Sequence, residues 1–127
     1  MSWWNPFSWG KKRDPGDIAE AELLERVKGR LEMARIHIKK HHWAGRKEAL
    51  AEAEAASRLI ANTNTEKNIP NSHYRQQNKN LQIEITGLIV HLQQKIKMDW
   101  VGTEYYTTAE TLANRIISRL SDFLRQI

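Results

Sequence analysis

Leu81-Gln-Ile-Glu-Ile-Thr-Gly-Leu-Ile-Val-His-Leu92 is the stretch whose reading decides the fold. Leu81, Ile85, Leu88 and Leu92, continued by Ile96, recur at helical spacings of 4, 3, 4 and 4 and so line one face of an α-helix, whereas a strand would place every second residue on that face. Ile83, Ile89 and Val90 broaden the stripe, as expected of a helix that touches more than one neighbouring element. The helix is expected over about 73–98: it begins polar at Gln76-Gln-Asn-Lys-Asn80 and ends at Trp100-Val-Gly102.

Upstream lies Asn62-Thr-Asn-Thr-Glu-Lys-Asn-Ile-Pro-Asn-Ser72, a polar linker closed by Pro70, with Ser72 as an N-cap candidate. Before the linker, Arg46 to Ala61 reads as a helix rich in alanine (Ala49, Ala51, Ala53, Ala55, Ala56), a residue that favours helix and allows close backbone approach. A first helix opens after Pro15-Gly16, with Asp17 and Glu20 as a capping-box variant, and runs to about His42 with Leu24, Val27, Leu31, Ala34 and Ile38 on one face. Ala44-Gly45 is a candidate break. The alternative is one continuous helix over 17–61, since a helical glycine costs only about 1 kcal/mol. Downstream, Tyr105-Tyr106 are read as part of a connection and Thr107 with Glu110 as the capping box of a last helix. That helix carries Leu112, Ile116, Leu120, Phe123 and Ile127 on its face, with Ile117 and Leu124 beside it.

These stripes predict an all-α fold, a three- or four-helix bundle with an irregular aromatic N-terminal segment. Residues 1–16 form that anchor segment and 17–127 a single bundle domain, with the linker at about 62–72. Trp43-Ala-Gly-Arg-Lys-Glu-Ala-Leu50 has the flavour of a tetratricopeptide turn, but no second copy follows at the repeat offset, so a solenoid is not expected.

The N-terminus, Met1-Ser-Trp-Trp-Asn-Pro-Phe-Ser-Trp-Gly-Lys-Lys-Arg13, gathers Trp3, Trp4, Phe7 and Trp9 ahead of three cations. Pro6 and Gly10 preclude a long helix there. Aromatics so placed suit a socket on a protein partner, a fold-back that closes one end of the bundle, or a lipid headgroup layer. This opening is similar to the starts of some bacteriophage virion-associated proteins, in which a short aromatic tip precedes a basic run. The resemblance covers about a tenth of the chain and implies a phage or prophage assembly component, transferring no functional residue.

The chain has no cysteine, which excludes disulfides, thiol catalysis and Cys-ligated metal. Its 20 basic against 15 acidic residues leave a surplus of +5, compatible with nucleic acid, an anionic membrane or an acidic protein face. Lys39, Lys40, Arg46 and Lys47 surround Trp43 in the densest basic cluster; cations about a stackable ring suit a phosphate backbone and base, an acidic partner, or a solvated helix junction. His37 and His41 have the spacing of a metal pair, but Lys39 and Lys40 disfavour a dication and the catalytic Glu of a His-Glu-x-x-His helix is missing. No nucleophile elbow, phosphate loop or paired carboxylates on an apolar face occur, and Asp14, Asp17, Asp99 and Asp122 sit near element ends. The expectation is a protein that is not an enzyme, has no metal or cofactor, and works by contact with a protein partner or as a homo-oligomer; nucleic-acid binding through the 39–47 cluster and peripheral membrane association are the alternatives. No run spans a membrane and no secretory signal is read, so the expected location is cytoplasmic or virion-associated.

Overall fold

The computed structural model describes residues 14–41, 43–94 and 103–127, with the side chains of Trp43 and Thr103 excluded. The four predicted Trp and Phe anchors (Trp3, Trp4, Phe7, Trp9), the ring of Trp43, and Ile96 and Trp100 lie outside that description. The described residues form four helices: α1 Pro15–Lys39, α2 Trp43–Thr63, α3 Ser72–Gln93 and α4 Thr103–Gln126. No strand occurs among the described residues.

Each helix packs against its sequence neighbours, and α4 closes the ring by packing on α1. Cross-helix contacts set the directions. Arg30 meets Glu52 and His37 meets Glu48, so α1 and α2 are antiparallel. Glu84 with Arg119 and His91 with Tyr105 make α3 and α4 antiparallel. Tyr74 with Asp17 and Asn78 with Glu20 show the diagonal pair, α1 and α3, running parallel. This is an up-down-up-down four-helix bundle.

The core holds Leu24, Val27, Leu31 and Ile38 of α1 and Leu81, Ile85, Leu88 and Leu92 of α3, all fully buried as their periodicity predicts. From α2 the buried face is Ala49, Ala53, Ala56 and Ile60, so alanines let α2 approach its neighbours closely. On α4 the stripe is rotated from the expected one. Ala109, Ala113, Ile116, Ile117 and Leu120 are buried, while Leu112 and Phe123 are only half-buried at its margins.

Three boundaries differ from the sequence reading. Asp14, and not Asp17, caps α1: its carboxylate accepts from the Asp17 amide at 2.8 Å while Asp17 accepts from the Asp14 amide, and Pro15 takes the first helical position. Asn71, and not Ser72, caps α3, accepting from the amides of His73 and Tyr74. The break between α1 and α2 falls at His41, not at Gly45, which lies buried in the first turn of α2. His41 adopts φ 52°, the left-handed conformation that ends many helices and that costs a residue with a Cβ about 1–2 kcal/mol.

The start of α4 is a larger correction. Tyr105 and Tyr106 are not in a connection, and Thr107 is not a cap; all three lie in the helix, which begins at Thr103. Helical placement carries both tyrosine rings into the end of the bundle, where they are 8% and 2% exposed. Burying two aromatic rings outweighs a local cap worth about 1 kcal/mol.

Candidate functional site

Two polar clusters close the ends of the bundle, and two aliphatic stripes face outward along its sides. At the α1–α2 turn the His41 ring stacks on Tyr106, with centroids 4.9 Å apart, which offsets the strain of its backbone. His91 stacks on Tyr105 at 4.7 Å and its Nε2 lies 2.9 Å from the Tyr105 carbonyl; since that carbonyl only accepts, Nε2 carries the proton. The Tyr105 hydroxyl donates to the Leu92 carbonyl at 2.9 Å and accepts from Arg46 Nε at 3.2 Å. One phenol thereby joins α2, α3 and α4.

This arrangement disperses the basic cluster read from the sequence. Lys40 and Lys47 are exposed, Lys39 lies 3.8 Å from Glu110 of α4, and Arg46 is turned inward on Tyr105. The histidine pair separates too. His37 stays on α1 with Nδ1 2.7 Å from Glu48, while His41 lies beyond the helix end against α4. Among the described residues no group of three or more His, Asp or Glu is placed to hold a metal ion, and no helix is long and apolar enough to cross a membrane.

At the opposite end, sequence reasoning missed a buried polar layer. Glu20 is fully buried, its carboxylate accepting from Asn78 Nδ2 at 2.7 Å and Gln77 Nε2 at 3.0 Å. Asn78, also fully buried, donates further to Asn64 Oδ1 at 3.1 Å, and its own Oδ1 has no partner among the described residues. Burial pushes the Glu20 carboxyl above its ordinary 4.5, against the lowering effect of both amide hydrogen bonds. The signal was present: stepping back one turn from Leu24 along the α1 stripe lands on Glu20, and from Leu81 along α3 on Asn78.

Beside this layer the Tyr74 hydroxyl donates to Asp17 at 2.6 Å, and that bond pushes its pKa up to about 12. Desolvation raises Tyr105 and Tyr106 as well. These are all three tyrosines of the chain. At pH 10, where a free phenol is about half ionised, the folded protein is expected to show well under half of the full tyrosinate absorbance near 295 nm. Unfolding in urea at that pH should release the remainder, and half-ionisation of the folded chain would contradict the burial of the rings.

The stripes consist of large aliphatic side chains that the core leaves out. On α3, Ile83 is 70% and Val90 53% exposed; on α1, Ile18, Met33 and Ile36 are 42–49% exposed. Each stripe contains an exposed helical glycine, Gly29 on α1 and Gly87 on α3, and a Cβ built at either would meet no atom of the described residues within 4 Å. A hollow of about 530 Å³ lies against Ile18, Ala21, Glu22, Glu25 and Arg26. All five residues belong to one helix, so it is a surface hollow and not an enclosed substrate pocket.

The class these features define is a four-helix bundle with polar ends and outward aliphatic faces. No protein-family model matches the chain, and no curated protein or solved structure matches it either.

Proposed function

We propose that this chain is a non-catalytic assembly protein that works by protein–protein contact. The observation that supports the reading best is the pair of outward stripes with their glycines. A glycine inside a helix costs about 1 kcal/mol relative to alanine, and among the described residues neither Gly29 nor Gly87 is required by a close neighbour or by backbone conformation. Close approach of another chain's backbone supplies a reason for a missing Cβ, and exposed aliphatics on either side supply area to bury. Trp3, Trp4, Phe7 and Trp9 fit the same reading as an anchor, because tryptophan-rich patches concentrate binding energy. The resemblance of the first residues to phage proteins makes a virion or prophage accessory component the setting we propose.

Light scattering across micromolar concentrations tests this. The parent chain is expected to exceed the mass of one chain, and the double variant Ile83→Glu/Val90→Glu, which places carboxylates on the α3 stripe, to lose part of that association. Helical content should stay unchanged, since both positions face solvent. A parent chain that remains monomeric throughout contradicts the homo-oligomeric form of the reading.

A further inference from the structure

We infer that the outward face of α1 is a self-association surface, on which two copies pack α1 against α1 in antiparallel fashion across a two-fold axis near Gly29. The inference rests on the assembly reading above and assigns the occupant of one stripe. Ile18, Glu22, Glu25, Gly29 and Ile36 fall on one side of α1 by helical spacing, opposite the buried Leu24, Val27, Leu31, Ala34 and Ile38. Gly29 stands at the middle of the helix, with an aliphatic side chain toward each end. A groove lined by Arg26, Gly29, Arg30 and Met33 of α1 with Glu52 and Leu59 of α2 opens beside it, where no Cβ stands in the way of an incoming backbone.

Charge selects the occupant. Toward its N-terminal end the exposed face carries Glu22 and Glu25, with Arg26 at its flank; its C-terminal end carries Lys40 and, at the flank where its Nζ lies 3.8 Å from Glu110 of α4, Lys39, both exposed. An antiparallel second copy sets the acidic half of each face against the basic half of the other, whereas a parallel copy would set like against like. A patch that complements itself about its own centre is what a two-fold interface requires. The α3 stripe has no such pattern, since Lys79 is the charged residue that lines the hollow beside Ile83.

The test uses the full chain carrying Ile83→Glu/Val90→Glu, so that the α3 stripe does not contribute. Its mass by light scattering is expected to be two chains, dissociating to one on dilution. Reversing the acidic half (Glu22→Lys/Glu25→Lys) or the basic half (Lys39→Glu/Lys40→Glu) should each weaken dimerisation at least about tenfold. Combining all four reversals restores the pattern with its sign inverted, and affinity should return to within about threefold of the starting protein. Gly29→Ala gives an independent arm: it should raise the melting temperature of the diluted monomer, because alanine favours helix, while weakening the dimer. Reversals that leave the mass unchanged, a fourfold variant that does not recover, or an alanine variant that dimerises more tightly would each overturn the inference. If the α3-altered chain is already monomeric while the parent associates, this inference falls and the assembly reading stands. A monomeric parent removes this inference together with the homo-oligomeric form of the assembly reading.

Discussion

Tyr105→Ala is expected to destabilise the protein by about 3–5 kcal/mol, the usual cost of deleting a buried aromatic side chain. That is a large share of the roughly 5–15 kcal/mol that holds a single domain folded. The loss has several sources. The ring is 8% exposed and stacks on His91, and it meets Tyr106 edge-on at 5.1 Å. Its hydroxyl satisfies the Leu92 carbonyl in the last turn of α3 and receives Arg46 from α2. Tyr105→Phe keeps the ring and removes the hydroxyl, so it should cost about 1–3 kcal/mol, the penalty of a buried polar group left without its partner. Urea unfolding of the two variants separates packing from hydrogen bonding. An alanine variant with an unchanged midpoint would mean that Tyr105 does not hold this end of the bundle together.

Glu20→Gln should do the reverse and stabilise the protein at neutral pH, because it removes a buried charge. The folded state holds the Glu20 carboxyl above its ordinary 4.5 because the ion is buried, with neutral amides and no cation as its hydrogen-bond donors. A raised value means that folding favours the protonated form. The contribution of Glu20 to stability is therefore fully present below pH 4.5 and lost as pH rises through the folded value. Glutamine carries no charge to desolvate, and its amide offers a donor to the orphaned Asn78 Oδ1. The gain over the parent should vanish in acid and grow to a plateau toward neutrality. Melting temperatures of both proteins between pH 4 and pH 8 check the sign, and a variant less stable than the parent at pH 7 would show that the carboxylate is needed as an ion.

The core of α1 and α3 was legible because leucine, isoleucine and valine mark a helical face by themselves. Where alanine does that work the face was misplaced. On α4 the larger Leu112 and Phe123 drew the expected stripe toward the margin, while Ala109 and Ala113 occupy the contact. The caps of α1 and α3 were misassigned by three residues and by one because several Asp, Asn and Ser compete at each boundary, and only backbone geometry chooses among them. Of the candidate site, the basic cluster was read as one surface, yet Arg46 serves Tyr105 and Lys39 approaches Glu110. A linear run of cations does not reveal which of them the neighbouring helices recruit.

The sequence by itself determined that the chain is helical, where the polar linker falls, and which faces of α1 and α3 turn inward, because these follow from local propensity and from periodicity over a few turns. Tertiary structure alone decided what the polar residues on those faces do. Glu20 reads as a helix-start residue until Asn78 arrives from a helix far along the chain, and Tyr105 and Tyr106 read as connection until α2 and α3 provide a place to bury them. The same holds for the outward stripes. Ile83 and Val90 look like extra core in one dimension, and only the finished ring of four helices leaves them exposed among the described residues, because a bundle has room for one face of each helix at its centre.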